Sequence, residues 1–255
     1  MGGQLYEMCL IVTAAKKALR NKSAFSYVPY YYVRRSEFQF LPETKYFGAG
    51  PFKADNAAAW YDHCLKKGLQ DIKLFVPISV KNRYKLAFAN STHCSLVCFW
   101  KEHITCFSSH WENDYEQMKW DILYREEKWR ESPQWKPHFG NNSESFRLVL
   151  VKIKELAEKL DGYNSGFEVN FQNAIDILDG SDFTPQWLHL PEIPEENLRL
   201  YRAANAADVF GGMLSWNDGV SGFAEEKGLR EDYETLSNEL LKQIRLATLY
   251  AINGW

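Results

Sequence analysis

Several things are missing from this chain, and each absence narrows what it can be. No apolar run approaches the roughly 20 residues a membrane-spanning helix needs. The first, from Met8 to Ala15, follows Glu7 and precedes the basic cluster Lys16, Lys17, Arg20 and Lys22, the wrong order for a signal peptide. No export signal or membrane association is therefore expected. Met1-Gly2 opens like a myristoylation site, but Tyr6 stands where that motif takes Ser or Thr, so lipid anchoring is not expected either. The five cysteines, Cys9, Cys64, Cys94, Cys98 and Cys106, are an odd set without the dense spacing of a disulfide scaffold. Free thiols in a reducing, cytoplasmic setting are the expectation.

Charge of one sign is also lacking. With 30 basic and 33 acidic residues the net charge is -3, which gives no global field toward nucleic acid or an anionic membrane. Gly48-Ala-Gly50-Pro51 and Gly211-Gly212 do not extend into a phosphate-cradling glycine motif, and no G-x-S-x-G nucleophile elbow occurs. Internal repeats and low-complexity tracts are absent too.

What is abundant is aromatic area. The chain carries 16 Phe, 14 Tyr and 9 Trp in 255 residues, enough to build a core from rings and to leave some for a recognition surface. Leu5, Met8, Cys9, Val12, Ala15 and Leu19 recur at helical spacing and predict an amphipathic helix over residues 4–22. One or two strands are predicted between Tyr27 and Leu41, where residues 37–40 alternate polar and aromatic. Asp55 or Asn56 can cap a helix running to Lys67 and stopped by Gly68. Ile72, Leu74 and Val76 predict a strand, as do Tyr84, Leu86 and Phe88, and Ser95–Trp100 with Ile104–His110 predict a hairpin. Met118, Trp120, Ile122 and Tyr124 mark a further strand.

Residues 130–142 hold two prolines and a glycine and read as a linker. Beyond them the period becomes helical. Phe146 to Leu160 is capped by Asn142 or Ser143 and closed by Gly162, Phe167 to Leu178 stops at Gly180, a third helix follows Pro194, and the longest starts at Leu229. Strands in the first half and helices in the second define an α+β protein: an antiparallel or mixed sheet with one or two helices, packed against a helical C-terminal half. The expected organisation is one unit over residues 1–255, with subdomains 1–130 and 143–255 as the natural division.

Three constellations could carry chemistry. His93, Cys94, Cys98, His103, Cys106 and His110 are soft-metal ligand types within one hairpin. A three-residue loop from Lys101 to His103 would set Cys98 opposite Cys106 and Cys94 opposite His110, but the two pairs would stand roughly 13 Å apart. A single tetrahedral ion cannot reach both, so no metal and no cofactor is expected. Gly211, Gly212, Gly219, Gly222 and Gly228 surround Trp216-Asn217-Asp218, a composition that fits a tight connection or a binding loop. Tyr30-Tyr31-Tyr32-Val33-Arg34-Arg35 interleaves rings with cations; in a strand Tyr30 and Tyr32 would share a face, with Arg34 beyond them. Glu112, Asp114 and Glu116, and Asp176, Asp179 and Asp182, read as surface charge.

The candidate binding residues are therefore Tyr30, Tyr32, Arg34, Trp216, Asn217 and Asp218. They support a non-catalytic binding or protein-interaction module with an aromatic-rich surface, taking a protein or small-molecule ligand and compatible with a homo-oligomer. Two competing readings are a hydrolase or transferase assembled from dispersed residues such as Cys106, His110, Asn217 and Asp218, and a single-stranded nucleic-acid binder using the tyrosines with Arg34 and Arg35. The neutral-to-acidic balance argues against nucleic acid.

Overall fold

The computed structural model describes residues 1–42, 51–80, 82–129, 139–160, 166–184, 188–211 and 215–255. The chain is α+β and divides into two compact units. One comprises Gln4–Val76 and His93–Pro137; the other comprises Met1–Gly3, Pro77–Thr92 and His138–Trp255. Gly48, Gly50, Gly162, Gly212 and most of the expected linker, residues 130–138, lie outside the described residues.

The first unit is built on a six-stranded mixed sheet in the order β2-β1-β6-β5-β4-β3. Its strands are β1 (Val33–Gln39), β2 (Lys53–Ala54), β3 (Asp71–Phe75), β4 (Ser95–Phe99), β5 (Ile104–Asp114) and β6 (Lys119–Lys128). All pairings are antiparallel except β1 with β6, whose parallel register sets Phe38 beside Tyr124. The period of two sorts the side chains. Phe38, Ile72, Leu74, Leu96, Cys98, Phe107 and Tyr124 share one buried inner face.

Helix α2 (Ala57–Lys66) lies on that inner face, since Trp60 stacks on Phe38 at 5.0 Å and meets Phe107 edge-on at 5.8 Å. Asn56 is its cap, accepting from the Ala59 amide at 2.9 Å, and Gly68 follows it at φ +83, where a side chain would be strained. Helix α1 (Gly3–Asn21) departs from the amphipathic expectation. Gln4, Glu7, Thr13 and Lys16, which a single apolar stripe would leave in water, are buried along with the stripe. Their polar atoms are met locally: Gln4 donates to Ser109, and the Thr13 hydroxyl returns to the Cys9 and Leu10 carbonyls.

Burial has a measurable consequence at Lys16. Desolvation, reinforced by the nearby Lys73, lowers its ammonium from 10.5 to about 7, with Asp71 opposing the shift. An unfolded lysine holds its proton over that interval while the folded one has released it, so stability should rise with pH from about 7 to about 10.5. Lys16→Met should flatten that rise, as read from urea midpoints across the interval. An unchanged slope would refute the assignment.

The second unit holds α3 (Ser143–Lys159), α4 (Phe167–Leu178), α5 (Glu195–Ala207), α6 (Val220–Glu226) and α7 (Arg230–Asn253). Contacts of α3 with α4 and α7, and of α5 with the same two, close a four-helix ring around Phe146, Leu150, Phe171, Leu200, Tyr233 and Leu240, with α6 against α7.

Three expectations are corrected. Tyr84, Leu86 and Phe88 form no strand: the Asn82 side chain accepts from the Tyr84 amide at 3.0 Å and starts a 3-10 turn over Arg83–Lys85, in the helical unit. Alternation there reflects only the burial of Leu86 between exposed rings. The glycine-rich stretch 211–228 is not simply a loop, because Val220–Glu226 is helical. In the hairpin, Phe99 pairs with Ile104 and the Trp100 amide donates to the His103 carbonyl, so the register is one residue off the expected one. That slip reverses faces. Cys98 lies opposite Thr105 and Cys106 opposite Val97, while His110 pairs with Leu123 of β6.

Candidate interaction surface on the open face of the sheet

The slip separates the hairpin cysteines. Cys98 faces inward, in hydrogen-bond contact with Cys64 of α2, and burial pushes its thiol well up. Cys106 sits on the outer face in an apolar group with Val97, Ile104, Phe75, Phe99 and Trp129, and burial raises its thiol to about 11. Neither is a ready thiolate. Among the described residues no three His, Cys, Asp or Glu side chains converge to hold a metal ion, and no helix is long and apolar enough to cross a membrane.

Beyond that apolar group the outer face is polar and open. Pairing sets Glu112, Asp121 and Arg35 in one row across β5, β6 and β1, and His110, Leu123 and Glu37 in the next. A register shift between Val33 and Arg35 lets two consecutive arginines reach the same carboxylate. Arg34 Nε bonds Asp121 at 2.7 Å and its Nη1 reaches Asp114 at 2.6 Å; Arg35 Nε bonds Asp121 at 2.8 Å. The Arg34 hydrogen bond, helped by the charge of Arg35, holds Asp121 below its usual value. Asp114, read from sequence as simple surface charge, is thus an arginine partner.

At the end of this face three large side chains stand in water: Tyr31 is 75% exposed, Tyr115 81% and Met118 75%. The Asp114 carboxylate accepts from the Glu116 and Gln117 amides and shapes the β5–β6 turn, which Met118 closes at φ +53. The Trp120 amide donates to the Tyr32 carbonyl at 2.8 Å, which brings the tyrosine segment beside that turn.

Tyr30, Tyr31 and Tyr32 precede β1 in a turn, so they do not alternate as strand residues would. Tyr30 is buried against Tyr6 at 5.3 Å, and Tyr32 is half-buried, 4.7 Å from Tyr30 and 6.1 Å from Trp111. Two sequence candidates therefore form the support, and their neighbour Tyr31 supplies the exposed ring. Glu7 anchors them from α1: it accepts from the Tyr30 amide at 2.9 Å and from the Tyr27 hydroxyl. Burial pushes its carboxyl up against the pull of those two donors. Tyr115 was missed, and Met118 was placed in the strand, because a local reading cannot tell a turn residue that stays in solvent from one that folds inward.

The other three candidates lie in the helical unit. Trp216 is core: its indole donates to Ser237 at 2.7 Å and receives the edges of Phe167 and Phe171 at 5.3 and 5.4 Å. Asn217 is buried and donates to the Arg83 carbonyl at 2.8 Å, whereas Asp218 is exposed. A groove of about 490 Å³ between α3 and α7 is lined by the charged Lys152, Glu155, Lys159, Glu231 and Asp232 beside Leu156. No protein-family model, curated protein or solved structure matches this chain.

Proposed function

We propose that this chain is a non-catalytic interaction protein that engages a macromolecular partner through the open face and aromatic tip of its sheet. The observation that carries the reading is the exposure of Tyr31, Tyr115 and Met118 at one end of a rigidly paired sheet. Exposed rings held by a fixed scaffold cost little entropy on docking and bury much area. The cytoplasmic setting expected from the sequence remains part of this proposal, supported by five buried, free cysteines.

The nucleic-acid alternative has less support, because the Arg34 donors are already taken by Asp114 and Asp121 and a phosphate would have to displace both. The hydrolase or transferase alternative also has less, because Cys106 and His110 stand four residues apart along one strand, roughly 13 Å at the strand rise.

A photo-reactive phenylalanine placed at Tyr115, and separately at Tyr31, should give a discrete covalent adduct on irradiation in the producing cell. The same group at Leu148, 62% exposed on α3, should not. The double variant Y31A/Y115A should lose the partner while its stability changes by no more than about 0.5 kcal/mol, as expected for solvent-facing positions. Absence of adducts at both tyrosines would overturn the reading.

A further inference from the structure

The charges on the open face are arranged in a way that selects its occupant. In one row the acid Glu112 lies on the β5 side and the base Arg35 on the β1 side, with Asp121 between them. In the next row the order is reversed, His110 on the β5 side and Glu37 on the β1 side, with Leu123 between. A two-fold axis parallel to β6 exchanges the two sides of such a face while leaving each row at its own height. Applied to two copies stacked face to face, it sets Arg35 of one against Glu112 of the other, and Glu37 against His110. Leu123 meets its own counterpart, and the Tyr31 end comes over the Tyr115 end.

We infer that the partner of this face is a second copy of the same chain, forming a two-fold dimer about β6. The inference rests on the interaction-surface reading and names its occupant. Isologous contact is the commonest form of assembly, and it requires a patch that complements itself. The Arg35 and Glu112 row meets that condition through charge and the His110 and Glu37 row through a hydrogen bond, with Glu37 also held by Lys53 of its own copy. Two sheets packed face to face stand about 10 Å apart, a spacing that long side chains such as Arg35 and Glu112 can bridge. Asp121 also meets its own counterpart on the axis, but it is already neutralised by Arg34 and Arg35. On the same face of β6, Lys119 at the tip and Arg125 at the far side would each meet their own counterparts, repulsions that confine the contact to the two rows between them. Arg35, His110 and Glu112 are all exposed, and Asp121 keeps its two bonds to Arg34 when Arg35 is changed.

Sedimentation velocity on the full chain tests this directly. The wild type should show a concentration-dependent monomer–dimer equilibrium, R35E and E112R should each weaken it at least tenfold, and R35E/E112R together should restore it to within a few-fold. Circular dichroism should show all four proteins equally folded. A monomer at every concentration overturns the inference, as does a dimer indifferent to the single swaps or a double swap that fails to recover. The adduct at Tyr115 separates the two levels of the argument. Twice the chain mass supports a second copy, a different mass retains the interaction surface but rejects self-association, and no adduct at either tyrosine rejects both.

Discussion

Glu234→Ala is expected to cost the helical unit about 1–3 kcal/mol, because it leaves the buried Arg83 cation without its half-exposed carboxylate partner. The Arg83 side chain is 2% exposed and bonds Glu234 through Nη1, while Nη2 reaches the Tyr84 hydroxyl at 3.2 Å. The guanidinium carbon lies 4.5 Å from the Tyr84 ring centroid and 4.9 Å from that of Tyr233, and its buried Nε has no hydrogen-bond partner among the described residues. Without Glu234 this cation keeps one neutral acceptor and two ring faces. Those do not compensate for lost hydration. Removing both charges should be milder than removing the carboxylate alone, so R83M/E234L should be more stable than E234A.

Urea unfolding followed by far-UV circular dichroism measures these differences. A loss below about 1 kcal/mol for E234A would put the pair in the class of exposed salt bridges and refute its structural weight. The pair also has a pH signature. Burial raises the Glu234 carboxyl, but the Arg83 and Tyr84 hydrogen bonds outweigh it and hold the group below its ordinary 4.5. Its contribution is complete above that ordinary value and is lost as pH falls through the depressed one. The acid limb of the stability curve should therefore flatten in E234A.

Phe38→Ala should destabilise the sheet unit by about 3–5 kcal/mol. The ring is fully buried, stacked on Tyr124 at 4.4 Å and 7° and on Trp60 at 5.0 Å, with Phe107 edge-on at 6.1 Å. It is the point where β1, β5, β6 and α2 all touch, so a cavity there cannot collapse without moving several elements. Phe38→Leu keeps most of the volume and should cost much less, about 1–2 kcal/mol. The comparison of the two urea midpoints decides whether packing or mere hydrophobicity sets the value. Equal losses for Leu and Ala would show that ring stacking dominates.

Much of the element order was legible. Asn56 and Gly68 bracket α2, Gly180 ends α4 at φ +110, and the stripe from Phe146 to Leu156 is the buried side of α3. The alternation of residues 37–40 correctly turns Phe38 and Phe40 inward. All of these signals are local: a cap, a left-handed glycine and a period act within one or two turns of chain.

The candidate surface was only half legible. The tyrosine–arginine segment was identified, but Tyr31 proved the exposed ring, Tyr30 the buried one, and Arg34 a group already engaged by Asp114 and Asp121. Tyr115 carried no sequence signal, and Met118, read as the first residue of the strand with Trp120, Ile122 and Tyr124, instead closes the turn before it at φ +53, because exposure there depends on where the β5–β6 turn ends up. Trp216 and Asn217 drew attention through their glycine-rich surroundings, which supply a short helix and a core indole.

The sequence alone determined the α+β class, the long helices and the inward turn of Phe38 and Phe40, because propensity, capping and period are properties of neighbouring residues. Only the tertiary structure decided the parallel pairing of β1 with β6, the one-residue register of the β4–β5 hairpin, the enclosure of α1 and the pairing of Arg83 with Glu234. Each of those joins segments far apart in the chain. Their choice is set by which surfaces can be buried together and which charges can be met at once, a balance that no local pattern contains.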